Sequence, residues 1–218
     1  MQEGHDAYRE AKYDQALSRF QEALKLTKSL DPKIAGNVLV FTTDDALAQI
    51  GNCYLQLHQL ESAQSSFTAL MEWRKQNLQY DSSVAVAFEN LAVVDTMKND
   101  FAKAGNHLKQ GIAYIDDCIN HFKSSDTYSP QDIVANDDRR LKSRLNLELA
   151  NVYANLGKYD DALTAYEEAF QIANKFRAPP KAQTQIVSTA ITVARLANRT
   201  DKLEMWEERN KTLEGKKE

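Results

Sequence analysis

The amino-acid sequence predicts an all-α fold, a solenoid of about five antiparallel helix pairs forming one array over residues 1–218. Two observations carry this. One internal spacing recurs five times: Ala7 to Ala16, Tyr54 to Ala63, Asp95 to Ala104, Tyr153 to Ala162 and Ala194 to Leu203 are each nine residues apart. Seven Gly and four Pro in 218 residues are also few for the hairpin turns of a strand-rich fold.

The copies share residue types as well as spacing. The clearest runs Leu149-Ala150-Asn151-Val152-Tyr153, then Gly157, Tyr159, Ala162, Tyr166 and Ala169. The same order appears as Ile50-Gly51-Asn52-Cys53-Tyr54, Leu60, Ala63, Phe67 and Leu70, and near the start as Gly4, Ala7, Tyr13, Ala16, Phe20 and Ala23. A looser copy has Phe88, Leu91, Ala92, Phe101, Ala104 and Leu108; a degenerate fifth has Ala190, Ile191, Ala194 and Leu203, with Trp206 beside the expected aromatic place. Gly or Ala is needed where two helices cross most closely, and the aromatics fill the space that remains. An ordinary Ala-rich bundle would explain the apolar stripes but not the fixed step.

Taken in order, residues 5–11 and 14–29 read as the first pair. Asp31-Pro32 opens a helix reaching about His58, with the β-branched run Val38 to Thr43 as a possible interruption or buried strand. Residues 61–78 pair back, Asp81-Ser82 caps a helix over 83–98, and Phe101 to about Phe122 returns. Ser124 to Pro130 is the longest loop signal, and Ser129-Pro130-Gln131-Asp132 starts a helix to Leu156 that should project beyond its neighbours. Residues 159–176 return, Pro179-Pro180 breaks the chain, and 181–197 with 201–214 close the array behind a charged end cap. The units are thus approximately 1–30, 32–78, 82–123, 130–176 and 181–214. Only three residues precede Gly4, so the chain is expected to be a segment of a longer protein.

This pattern resembles the tetratricopeptide-repeat superfamily, whose signature is a large residue, a Leu-Gly pair, a Tyr, then Ala with an aromatic four later. The resemblance covers nearly the whole chain and implies a right-handed superhelix with a concave groove lined by the first helix of each unit. Steps between second-helix positions of 47, 41, 58 and 41 residues exceed the usual 34, so the units resemble the longer, about 42-residue type of kinesin light chains and related polarity adaptors. Projecting the family geometry places Gln49, Asn52 and Gln56, then Glu89 and Asn90, then Arg144, Glu148, Asn151 and Asn155, and finally Arg195 on the groove wall. Asp95 replaces the expected Tyr and should leave a polar spot near it. Amides predominate, which suits gripping a peptide backbone or a helix. A carboxylate clamp like that of some co-chaperones would use Asn52, Asn90 and Arg144, but Ala48 and Glu148 occupy its other two basic places.

Composition narrows the function classes. The chain is 43% hydrophobic and 27% charged, with a net charge of −4, and nothing argues for nucleic acid. Arg139, Arg140, Lys142 and Arg144 follow Asp137 and Asp138, and a solvated face with an Asp138–Lys142 pair is the reading adopted. No apolar run suits membrane insertion. Cys53 and Cys118 read as buried free thiols, hence a reducing, cytoplasmic location. His5, His58, His107 and His121 lack zinc-type spacing, and no phosphate loop or nucleophile motif occurs, so neither cofactor nor enzymatic activity is expected. The acidic pairs Asp44-Asp45, Asp116-Asp117 and Asp160-Asp161 read as helix-start or surface charges. The expected function is a non-catalytic scaffold or adaptor holding another protein's peptide or helix. Its rivals are a structural subunit packed laterally in a larger complex and a regulatory segment of a larger enzyme or transcription regulator.

Overall fold

Ten helices make up the computed structural model, which describes residues 1–27, 29, 32–123 and 133–215, the side chains of 32–35, 122–123 and 133–136 excepted. No strand occurs among the described residues. The chain divides into two compact units, Met1–Asn99 and Asp100–Glu218, and the division falls inside the third predicted repeat. The first unit holds α1 (Gln2–Arg9), α2 (Tyr13–Thr27), α3 (Pro32–Gln56), α4 (Leu60–Asn77) and α5 (Ser83–Met97). The second holds α6 (Phe101–Lys123), α7 (Ile133–Asn155), α8 (Tyr159–Lys175), α9 (Pro180–Leu196) and α10 (Thr200–Glu214). Within each unit, every helix packs chiefly on its neighbours in sequence.

These helices fall within a few residues of the expected ones. Val38 to Thr43 is helical, so tertiary context overrides β-branching. The break in α3 comes earlier, at Gly36, whose φ of 46° and ψ of −131° no helix contains. Asp31 and the start signal at 129–132 lie outside the described residues. Before α5 the Asp81 carboxylate, not Ser82, caps the helix, accepting the Ser83 N–H at 2.8 Å.

The recurring nine-residue step has a backbone origin. In each turn joining paired helices one residue is left-handed: Ala11 (φ 57°), His58 (56°), Asn99 (59°), Gly157 (70°) and Asn198 (53°). In four turns the next residue donates its N–H to the carbonyl five positions back, at 2.9 Å: Lys12 to Ala7, Gln59 to Tyr54, Lys158 to Tyr153 and Arg199 to Ala194. That same residue's carbonyl then accepts from four positions ahead, again at 2.9 Å, from Ala16, Ala63, Ala162 and Leu203. A return of five and an advance of four fix the step at nine.

Packing explains the small residues. A Cβ added at Gly51 would lie 2.5 Å from Cε1 of the buried Phe67, and one at Gly4 would lie 2.8 Å from Cε1 of Phe20. Ala16, Ala63, Ala104 and Ala162 are wholly buried. The degenerate fifth copy keeps the arrangement displaced by one position: Ala190 and Trp206, sixteen residues apart like Gly51 and Phe67, are both wholly buried.

One buried tie organises the first unit. Arg74 on α4 donates from Nε to Asp44 Oδ1 at 2.6 Å, from Nη2 to Asp44 Oδ2 at 2.9 Å, and from Nη1 to the Ser83 carbonyl at 2.6 Å. It therefore joins α3, α4 and the start of α5. Asp44 sits in the middle of its helix and is paired, which corrects its reading as a helix-start or surface charge.

Candidate functional site

The first helices of the repeats carry the candidate wall, in two parts. In the first unit His5 Nε2 on α1 lies 2.7 Å from Asp45 Oδ2 on α3. Gln49 Nε2 donates to Asp45 Oδ1 at 3.2 Å, and Asn52 Nδ2 to Gln49 Oε1 at 3.4 Å. Gln21 on α2 donates to the Tyr54 hydroxyl at 3.1 Å. Gln56 hydrogen-bonds Tyr8, whose phenol is raised above its ordinary range mainly by burial. Gln49 and Asn52 are half-buried and Gln56 is exposed, so this amide row remains reachable.

On α5 only part of the expected wall is open. Asn90 is half-buried, but Glu89 is only 8% exposed and Asp95 is buried outright. Asp95 is therefore an interior group, not a polar spot on the groove, and Glu89 is barely reachable. The exposed groups beside Asn90 are apolar: Val93 and Met97.

In the second unit Arg144, Asn155 and Arg195 are exposed, while Glu148 and Asn151 are half-buried. The Tyr166 hydroxyl donates to Asn151 Oδ1 at 2.6 Å, tying the wall to the buried ring. Burial pushes the Tyr166 phenol up to about 12, so it stays a donor. Asn155 Nδ2 donates to the Asn151 carbonyl at 2.8 Å, and Arg195 pairs with Glu207 at 2.7 Å.

The basic run of α7 departs from the solvated ladder. Lys142 reaches Asp116 on α6 at 2.6 Å instead of Asp138, and Asp138 is buried. The Arg139 guanidinium stacks 4.5 Å from the Phe176 ring centroid. Arg140 with Asp137, at 3.1 Å, fits the surface pairing.

Sequence reasoning missed the cleft of about 260 Å³ between α8 and α10, lined by Leu163 and Met205 with Asp160, Glu167, Arg199 and Lys202. Arg199 pairs with Asp160, and Arg209 grips Glu167. These partners stand 39 and 42 residues apart, beyond any local pattern.

Cys53 and Cys118 are free and buried, and burial, helped by Asp14, pushes the Cys53 thiol up to about 11. Among the described residues no three His, Cys, Asp or Glu side chains gather as a metal-holding group, and no helix is long and apolar enough to cross a membrane.

Two family models, each described as tetratricopeptide repeat, match residues 44–77 and 143–176. They fall within the second and fourth predicted repeats and begin inside α3 and α7. The extra length of these repeats therefore lies at the front of their first helices, which start at Pro32 and Ile133. No curated protein matches the sequence at a significant level. Among solved structures, BtubC from P. vanneervenii superposes with a TM-score of 0.72 at 17% identity, covering 97% of this chain and 77% of that one. A putative kinesin light chain of nearly identical TPR-like repeats from Podosopora anserina gives 0.68 at 11%, covering 99% and 93%. Aspartyl phosphate phosphatase F from Bacillus subtilis gives 0.71 at 12%, covering 98% of this chain and 49% of that one. The shared fold is the all-α helical-repeat solenoid.

Proposed function

Because this chain belongs to the tetratricopeptide-repeat superfamily, we propose that it is a non-catalytic interaction scaffold holding a peptide or helix of another protein against its first helices. The observation that carries this reading is the set of reachable amides on the first helices of the first unit, Gln49, Asn52, Gln56 and Asn90, beside exposed Val93 and Met97, with Asn155 exposed on a first helix of the second unit. An amide both donates and accepts, so it can satisfy a partner's backbone whatever the side-chain sequence. A reducing, cytoplasmic location fits the two free thiols.

The test uses Asn90 and Asn155 and spares Asn151, because truncating Asn151 would strip the acceptor from the buried Tyr166 hydroxyl. A pull-down with intact protein, read by mass spectrometry, supplies the partner, and titration calorimetry supplies the affinity. Replacing both Asn by Ala should weaken binding by about 1–3 kcal/mol with helicity unchanged. Arg140→Ala should do less, since that pair is exposed. Full affinity in the Asn variant, with losses confined to the α8–α10 side, would replace this reading with that of a subunit packed laterally in an assembly.

A further inference from the structure

The first unit carries a feature that amides do not explain. Val38, Phe41, Asp45, Gln49, Asn52 and Gln56 follow one another at steps of three or four, so they form one stripe along α3. Ala46, Ile50 and Cys53, the buried positions, lie about 100° away around the same helix. The stripe changes character along its length. Val38 and Phe41 are 69% and 71% exposed, Asp45 follows with a side chain 38% exposed, and the three amides come last. The apolar end lies on the part of α3 that precedes the matched repeat at residue 44. It is an addition to the repeat and not one of its packing positions.

Charge gives the stripe a direction. Residues 34 to 73 contain no Lys or Arg, although 27 of the 218 residues are basic, and α5 contains none either. The next cation, Arg74, is buried and spent on Asp44. Over the whole unit, nine Lys and Arg face 13 Asp and Glu, whereas the second unit holds 18 of each. The chain's net charge of −4 therefore resides entirely in the first unit. Among the described residues no Lys or Arg pairs with Asp45, and His5 and Gln49 leave part of the acceptor capacity of its carboxylate unused.

We infer that the α3 stripe docks an amphipathic basic segment of a partner protein, with an apolar side chain on Val38 and Phe41 and a Lys or Arg at Asp45. The inference rests on the interaction reading above and deepens it by giving the partner's chemistry. Phe41 and Asp45 are one helical turn apart, about 6 Å along the axis, so the partner needs an apolar and a basic residue at matching separation. Two residues apart in an extended segment, or four apart in a helix, supplies it. An acidic segment is disfavoured, because it would meet Asp45 with no wall cation to receive it.

The test uses the intact chain and synthetic 15-residue helical peptides with Leu and Lys four apart in an Ala/Gln host, followed by fluorescence anisotropy. The Leu/Lys peptide should bind, and the same peptide with Glu for Lys should not. Asp45→Asn should weaken binding about five-fold and Phe41→Ser about ten-fold. Glu61→Gln, an equal charge change on exposed α4, should leave affinity unchanged, as should Arg195→Ala in the second unit. Circular dichroism checks that each variant is folded. Failure of the Leu/Lys peptide to bind overturns the proposal, and so does an equal loss with Glu61→Gln, which would mean diffuse attraction to an acidic unit. If Asn155→Ala or Arg144→Ala carries the loss instead, the α3 site falls while the scaffold reading stands. If the calorimetric partner also ignores every wall variant, both fall.

Discussion

A methyl group is the smallest side chain Gly51 could be given, and even that has nowhere to go. Its carbon would lie 2.5 Å from a ring atom of Phe67, itself wholly buried, so ring or helix must shift. Gly51→Ala should destabilise by about 1–3 kcal/mol in urea unfolding. The left-handed turn residues make the opposite case. Ala11 holds φ 57° with a Cβ, whereas Gly157 holds 70° without one. Ala11→Gly should therefore stabilise by about 1 kcal/mol, and Gly157→Ala should cost a similar amount, both read from the urea midpoint at constant slope. Small residues at 51, 63 and 162 were legible in the sequence because size is what the crossing selects. Ala165 was not. It stands outside the repeated positions, yet it is buried, because α8 packs against both α7 and α9 and so has two covered flanks. Ala162→Leu and Ala165→Leu should then both be costly in urea unfolding.

At the level of elements, the spacing of the repeat predicted the helix pairs and their turns, while the ties between successive pairs left no local trace. Arg74 and Asp44 are 30 residues apart, and nothing near either announces the other. Asp44→Ala would leave a buried guanidinium with only the Ser83 carbonyl, and should cost about 3–5 kcal/mol in thermal or chemical unfolding. The second unit has a softer counterpart between α8 and α10. Partial burial alone would raise the Glu167 carboxyl, but hydrogen bonds from Arg209 and Gln171 outweigh it and hold it below its ordinary range. Its folded value is thus depressed, so its stabilisation is complete above the unfolded value near 4.3 and fades as pH falls through the folded value. Acid titration of stability should show a smaller loss below about pH 4 for Glu167→Gln than for the parent. Burial of Glu89 and Asp95 was equally illegible, since family geometry gives a position along the wall and not the depth of a side chain.

For the whole molecule, the consequence of neighbour-only packing is that stability should be local. Each helix packs chiefly on the helices before and after it within its unit. Stability of such a chain is approximately a sum of unit and interface contributions. Asp44→Ala should therefore speed amide exchange in α3, α4 and α5, with little change in α7, α8 and α9, when followed by hydrogen-exchange mass spectrometry. Uniform acceleration across the chain would show cooperative unfolding of both units. The same locality explains why composition was informative at this scale. An all-α repeat solenoid needs few turn residues, and the shortage of Gly and Pro reported that directly.

The turn geometry also predicts where such a chain tolerates change in length. A residue inserted between Tyr54 and Ala63, or between Tyr153 and Ala162, would break the five-back, four-ahead hydrogen bonding and rotate the second helix by about 100° against the first. Alanines that now sit in the crossing would face water, and charged neighbours would take their place. Between repeats the spacings do vary, from 41 to 58 residues. Insertions and deletions should thus be survivable at the joints and lethal to folding within the hairpins. Peptide epitopes or fluorescent labels meant to leave the fold intact belong at the joints.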